Sequence, residues 1–327
     1  MRNLFSVSRP FTTLVVLVSV LSLAAVFLQG CGRRPQGSLS SQLGSMVTIK
    51  GSDTMVHLVS IWAEEFMDAN PTLQVSVTGG GSGTGIAALI NQTTDVAASS
   101  RDIKEKEMTI AAERGVQPQE IAVARDGIAV VVNPDNPVTE LTMAQLHDLF
   151  TGAVKNWKEL GGPDKPVLIY SRESSSGTFI FFRETVLNNK DYAPKSRLLP
   201  ATSTIMEAVS SDLGGIGYVG LGFAKEAKDR VKVVNVKADD ASPAITPSED
   251  TVKSGEYAIA RPLFFYVSQP VTAPAPEGED VQADADGVSP QGTQPVVGKP
   301  SVNQFIEFCL SEAGQKVVEE TGYVSIR

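Results

Sequence analysis

The segment Val167–Thr178 holds the residues best suited to chemistry. A strand-forming run, Val167–Tyr170, ends in Ser171-Arg172-Glu173-Ser174-Ser175-Ser176-Gly177-Thr178 and enters an apolar stretch with Phe179, Phe181 and Phe182. Arg172 offers a planar, permanently charged pair of donors that fits an oxyanion bidentately, while Ser176, the Gly177 amide and Thr178 offer short neutral donors. A helix starting here would aim its first amides at the same point. One charged contact plus several neutral ones is a donor set for selective anion capture. Pairing of Arg172 with Glu173 or another surface carboxylate is the plainer alternative, and exposed pairs of that kind contribute little.

Two other junctions repeat this composition. Thr78-Gly79-Gly80-Gly81-Ser82-Gly83-Thr84-Gly85 carries five glycines in seven positions before the apolar run Ile86–Ile90. Glycine there sacrifices order for unhindered backbone N–H groups. The loop lacks the lysine of a Walker motif and the dinucleotide spacing, so a nucleotide is not expected; a flexible linker is the alternative reading. In Ile49-Lys50-Gly51-Ser52-Asp53-Thr54-Met55 a strand gives way to helix-capping residue types. Capping and anion binding use the same amides, and this motif alone does not separate them.

These loops need strands to carry them and helices to follow. Candidate strands are 47–50, 74–78, 96–98, 121–124, 128–133, 167–170, 216–219, 231–234 and 263–267. Helical patterns lie between them, such as Val56, Val59, Ile61, Trp62 and Phe66, or Met143, Leu146, Leu149 and Phe150. Alternation of this kind predicts α/β layers, in which ligands collect at the carboxyl ends of strands.

With 327 residues, 42% hydrophobic and 20% charged, the chain can fill two compact domains. Its first 30 residues differ from the rest. Arg2 and Arg9 precede an uncharged, mostly apolar run, Phe11–Leu28, that ends in Leu28-Gln29-Gly30-Cys31. This resembles a lipoprotein signal with Cys31 as the acylated residue, and the alternative is an uncleaved membrane span. Either way the following domain is exported. Residues 31–45 read as a flexible tether, with folding expected to begin near Met46. If Cys31 carries lipid, Cys309 has no disulfide partner and is expected to be a buried small hydrophobe. Beyond residue 30 there are 26 Lys and Arg against 37 Asp and Glu, a net charge of −11. Such a field repels nucleic acid, so an anion must be drawn by local dipoles and a few placed donors. Residues 270–300, with six prolines, four glycines and five acidic residues, read as a solvated insertion loop.

Other sites are set aside. His57 and His147 have no metal-ligand spacing and are expected at the surface. Ser82 lacks the second glycine of a hydrolase elbow. Gly215-Ile216-Gly217-Tyr218-Val219-Gly220 matches a dinucleotide fingerprint literally, but no capped helix clearly follows, so a packing turn is expected. Asp284-Ala285-Asp286-Gly287 lacks the flanking acids of a calcium loop. No internal repeat, metal site or cofactor is read from the sequence, and Trp62 and Trp157 fit core or lobe-edge packing.

Together these residues give a specific resemblance. From Val47 to Arg327, apart from the 270–300 insertion, the chain resembles the phosphate-binding lipoproteins of bacterial phosphate ABC importers, members of the type II periplasmic binding proteins. The spacing from Arg172 to Ser176-Gly177-Thr178 is the most specific part, supported by Asp95–Arg101, Ile216–Val219, Ser311–Gln315 and Gly322-Tyr323. The resemblance implies an α/β, two-lobe fold with a mixed sheet in each lobe and two crossover strands near 124–128 and 258–263. The lobes would be 46–125 with 260–327, and 126–259. It implies phosphate held by Thr54, Met55, Ser82, Ser100, Arg172, Ser176, Gly177 and Thr178, without metal. The partners implied are inorganic phosphate, an ABC permease and ATPase complex, and a membrane reached through the N-terminal lipid. The protein would be an extracytoplasmic monomer and not an enzyme. One departure stands out: family members place an aspartate where this chain has Ser100, and a hydroxyl, which both donates and accepts, discriminates less sharply between phosphate and sulfate. Binding of sulfate, molybdate or tungstate, a phosphate-sensing role, and a secreted phosphoester hydrolase are the alternatives.

Overall fold

A computed structural model describes residues 46–227, 229–269 and 299–327. The expectations for the leader, Cys31, the tether and residues 270–298 lie outside the described residues. Among the described residues no helix is long and apolar enough to cross a membrane.

Strand and helix alternate as the apolar pattern requires. Strand β1 (Met46–Gly51) is followed by a 3-10 turn (Asp53–Met55) and helix α1 (Val56–Ala69). Then come β2 (Gln74–Thr78), α2 (Ser82–Ile90), β3 (Val96–Ser99) and α3 (Glu105–Glu113). Strand β4 (Gln117–Val132) is continuous where the sequence suggested two strands. It leads to β5 (Glu140–Thr142), α4 (Met143–Thr151), β6 (Leu168–Arg172), α5 (Gly177–Thr185), β7 (Arg197–Leu199) and α6 (Thr202–Ser210). The chain continues through β8 (Gly215–Gly220), α7 (Leu221–Glu226), β9 (Lys232–Lys237), α8 (Glu249–Ser254) and β10 (Ala260–Gln269). It closes with α9 (Pro300–Leu310) and α10 (Glu312–Glu320). Pro300, read as the end of a loop, occupies the first turn of α9, where its missing N–H costs nothing.

The strands form two mixed sheets that share β4. In the first lobe the order is β2-β1-β3-β10-β4, with β1 parallel to its two neighbours and β10 antiparallel to β3 and β4. In the second, β8 and β9 pair antiparallel with the far end of β4, and β6 joins β8 and β7 in parallel. The first half of β4 pairs with β10 and its second half with β8 and β9, so these two antiparallel strands are the crossovers expected from the sequence.

Each lobe has its own core. Trp62, Phe66, Phe265, Phe305 and Cys309 are buried in the first, and the Trp62 indole donates to the Gly314 carbonyl at 2.7 Å, tying α1 to α10. Phe150, Phe182, Tyr192 and Tyr218 anchor the second, with Phe182 stacked on Tyr218 at 4.1 Å between ring centres. Truncating Phe182 leaves a cavity in a packed aromatic group, and Phe182→Ala is expected to lower the free energy of unfolding by about 3–5 kcal/mol in a urea titration.

Candidate anion-binding site

Four strand ends converge between the lobes, and close backbone approach explains several of their glycines. Gly51 ends β1 at a φ of +147°, and a Cβ there would stand 2.1 Å from the Ala98 carbonyl oxygen of β3. The turn that follows buries Thr54 and Met55. After β2, Gly80 and Gly81 take positive φ and deliver Ser82 to the first position of α2. The Gly81 amide donates to the Gly51 carbonyl at 2.9 Å, which fixes the glycine loop to the end of β1. Ser100 follows β3. Across the cleft, Arg172 ends β6, and Ser176 caps α5, whose first residues are Gly177 and Thr178.

The lobes are closed on each other, and their hydroxyls meet. Thr54 and Thr178 stand 2.8 Å apart between hydroxyl oxygens. Ser82 accepts from the Ser100 amide at 3.0 Å, its hydroxyl lies 3.3 Å from that of Ser100, and the Ser52 hydroxyl donates to Ser100 at 2.9 Å. The Gly83 amide donates across the cleft to the Ser175 carbonyl at 3.0 Å. Gly177 lies against this cluster. A Cβ there would stand 2.3 Å from the Ser82 hydroxyl oxygen and 2.7 Å from that of Ser100. Its amide and that of Thr178 open α5, where no preceding turn can accept from them.

Arg172 is only 3% exposed. Its partner is not Glu173 but Asp53 of the opposite lobe, 3.1 Å from Nη1 to Oδ2. Nη1 also donates to the Thr202 hydroxyl at 2.8 Å and Nη2 to the Pro200 carbonyl at 2.7 Å. The same Asp53 oxygen accepts from the Thr202 amide and hydroxyl at 2.9 and 3.0 Å. Burial pulls the guanidinium below its ordinary pKa while the charge of Asp53 pushes it back up. The buried Nε has no protein partner among the described residues. With Nη1 and Nη2 both engaged, the Nε N–H is the buried donor of this guanidinium that has no protein partner among those residues and could reach an oxyanion.

All the cleft residues expected from the sequence are thus brought to one region, but not all with free groups. The Met55 side chain is fully buried in the first core and its amide donates to the Ser52 carbonyl at 3.0 Å. Cys31 lies outside the described residues. Arg101, next to Ser100, is committed to Glu107 by two hydrogen bonds of 2.8 and 2.7 Å. Its guanidinium lies near the glycine loop, 3.6 Å from where a Cβ on Gly83 would stand. Among the described residues no cluster is built to hold a metal ion, and the histidines face carboxylates, His57 against Glu226 and His147 against Asp148.

Sequence reasoning missed Asp53 as the partner of Arg172, Ser52 as the donor to Ser100, and a buried pair at the crossover. Asp126 and Arg261 are 0% and 1% exposed and 2.9 Å apart. Burial raises the pKa of Asp126, with the charge and hydrogen bond of Arg261 opposing it. The missed signal was a charge inside an apolar run: Asp126 between Ile121 and Val132, Arg261 before Leu263–Val267.

The chain matches the model of a PBP superfamily domain over residues 35–313. It is 31% identical to a phosphate-binding protein PstS of Staphylococcus epidermidis over 306 residues, covering 92% of this chain and 86% of that one. Among solved structures it resembles a phosphate ABC transporter substrate-binding protein with bound phosphate from Clostridium perfringens, with TM-score 0.71, 26% identity, and coverage of 86% of this chain and 100% of that one. An ABC-type phosphate transport receptor from Vibrio cholerae is similar at TM-score 0.61 and 27% identity, covering 85% and 99% of the two chains.

Gly177→Ala should wedge the lobes apart, because the added methyl overlaps hydroxyls of the opposite lobe. Small-angle scattering is expected to give a larger radius of gyration than for the wild type. A second expectation concerns acid. Burial raises the pKa of Glu107, but hydrogen bonds from Arg101 and the Lys104 amide and the charges of Arg101 and Lys104 outweigh it and hold the group below its ordinary 4.5. A depressed carboxylate stabilises the fold above its unfolded pKa and loses that contribution as pH falls through the folded value. Glu107→Gln should therefore melt earlier than wild type at neutral pH, and the gap should close as the pH drops below about 4.5.

Proposed function

This chain belongs to the PBP superfamily and, within it, to the family of PstS phosphate-binding proteins, and from that premise we propose that it captures inorganic phosphate between its lobes and delivers it to an ABC importer. The observation that carries the proposal is the cluster of buried hydroxyls from both lobes, together with a buried Arg172 whose Nε N–H has no protein partner among the described residues. In this reading Arg172 donates to an oxygen through Nε, the Gly177 and Thr178 amides and the Ser176 and Thr178 hydroxyls approach from one lobe, and Thr54, Ser82 and Ser100 approach from the other. The Met55 amide would exchange its bond to Ser52 for one to the ligand. Closure strips water from the anion and completes its donor set, so affinity and closure are one equilibrium. Micromolar binding needs about 8 kcal/mol, within reach of one charged and several neutral hydrogen bonds in a dry cleft.

The wider setting belongs to the same proposal. Residues 46–125 and 260–327 form one moving lobe and 126–259 the other. A lipid on Cys31 holds the monomer on the outer side of a membrane, where it meets a permease and ATPase complex. It is a carrier and not a hydrolase, a reading favoured by its phosphate-binding relatives and by the pairing of both histidines with carboxylates, His57 with Glu226 and His147 with Asp148. One observation favours a second ligand reading: Ser100, which takes the place of the family aspartate, already accepts a hydrogen bond from the Ser52 hydroxyl. A site of hydroxyl donors without a free carboxylate is less hostile to a fully deprotonated oxyanion.

Calorimetry on residues 32–327 tests this. Phosphate should bind, and Arg172→Ala should abolish most of the heat. No heat with phosphate but heat with sulfate, molybdate or tungstate would overturn the ligand while leaving the carrier class in place.

A further inference from the structure

Arg261 stands in β10 directly opposite Asp126 in β4, at the crossover between the lobes. Its guanidinium reaches three bodies at once. Nη2 bonds Asp126 within the hinge at 2.9 Å, Nη1 donates to the Ser100 carbonyl of the first lobe at 2.8 Å, and Nη2 donates to the Thr178 hydroxyl of the second lobe at 3.0 Å. Asp126 in turn accepts from the Leu221 amide of the second lobe at 3.0 Å. The Phe181 ring lies under the guanidinium, 5.4 Å from its carbon to the ring centre. A burial this complete is costly for a charge, and a neutral pair of similar shape could hold two strands together as well. The contacts to Ser100 and Thr178 are what a neutral pair would not supply.

A threonine hydroxyl has one proton, and an oxygen that accepts from a guanidinium must turn that proton away from it. With Arg261 donating to Thr178, the Thr178 proton points toward Thr54 or toward an anion placed beside it. The Arg261 bond to the Ser100 carbonyl likewise fixes the backbone that carries the Ser100 hydroxyl. Opening the cleft separates Thr178 from Thr54 and must break the bond from Arg261 to one of the two lobes, whereas the pair with Asp126 lies within the hinge.

We propose that Arg261 is a positioning residue of the anion site, which acts through Thr178 by holding its hydroxyl as a donor only when the lobes are closed. The inference rests on the phosphate reading above and adds a residue outside the three anion loops. Its test is a double-mutant cycle on phosphate affinity by calorimetry, using Arg261→Lys, Thr178→Val and the two combined. Lysine keeps the charge but cannot reach three acceptors in a plane. Each single change should raise Kd about tenfold, and the combination should be no worse than about threefold beyond the weaker-binding single variant, because both remove the same contact. The ligand-free melting temperature is followed in parallel, since a purely structural Arg261 would move it and leave the cycle multiplicative. Arg261→Gln combined with Asp126→Asn removes both charges together and replaces Arg261→Lys in the cycle if that variant does not fold. Multiplicative effects, or an unchanged Kd in the Arg261 variants, overturn this inference while wild-type binding upholds the phosphate reading. No wild-type heat with phosphate overturns both.

Discussion

A guanidinium of one lobe and a carboxylate of the other meet inside the closed cleft, and most of the arrangement around the site follows from that pair. Arg172 and Asp53 are drawn from opposite sides, so their bond exists only when the lobes are together. It also orders Thr202, whose amide opens α6 and whose hydroxyl accepts from Arg172 and donates to Asp53. The cost of burying the arginine is shared between a carboxylate, a hydroxyl and a carbonyl, and the Nε N–H remains without a protein partner among the described residues.

The rest of the donor set is neutral, and the charge balance explains why. Arg172 faces Asp53, Arg101 faces Glu107 and Arg261 faces Asp126, so each buried cation near the cleft has its own anion. In a chain whose residues beyond position 30 carry a net charge of −11, a site built on surplus positive charge would compete with the protein's own carboxylates. Hydroxyls and helix-opening amides avoid that competition. They gain strength from the exclusion of water, and their short side chains have little freedom to lose.

Much of this could be read from the chain. The loop from Arg172 to Thr178 declared itself because a strand, a hydroxyl-and-glycine run and an aromatic helix follow one another, and each is a local signal. The partners of those residues are not local. Asp53 looks like an ordinary capping residue until the lobes close, and nothing near it in sequence names Arg172. The apolar pattern predicts two strands where β4 runs unbroken, because Arg125-Asp126-Gly127 interrupts it. The interruption is where the strand leaves one core for the next, and Arg261 satisfies the charge. Helix α7 was missed for a related reason: Gly220 has no side chain to cap it, and the Leu221 amide bonds instead to Asp126 from a distant strand. The strands β5 and β7 are too short to show a period.

The position of β10 has a consequence for how the molecule acquires its shape. It lies between β3 and β4 in the first sheet, yet it is made after the whole of the second lobe. Until it emerges, β3 and the first half of β4 have no common neighbour, and the first core lacks Leu263, Phe265 and Phe305. The second lobe, whose strands are nearly contiguous in sequence, can condense early, while the first must wait for a strand and two helices from the chain's end. Loop closure over that separation is an entropic barrier to be crossed before the contacts reward it. The first lobe should therefore be the slow step in refolding and the part of the nascent chain that exposes its apolar edge longest.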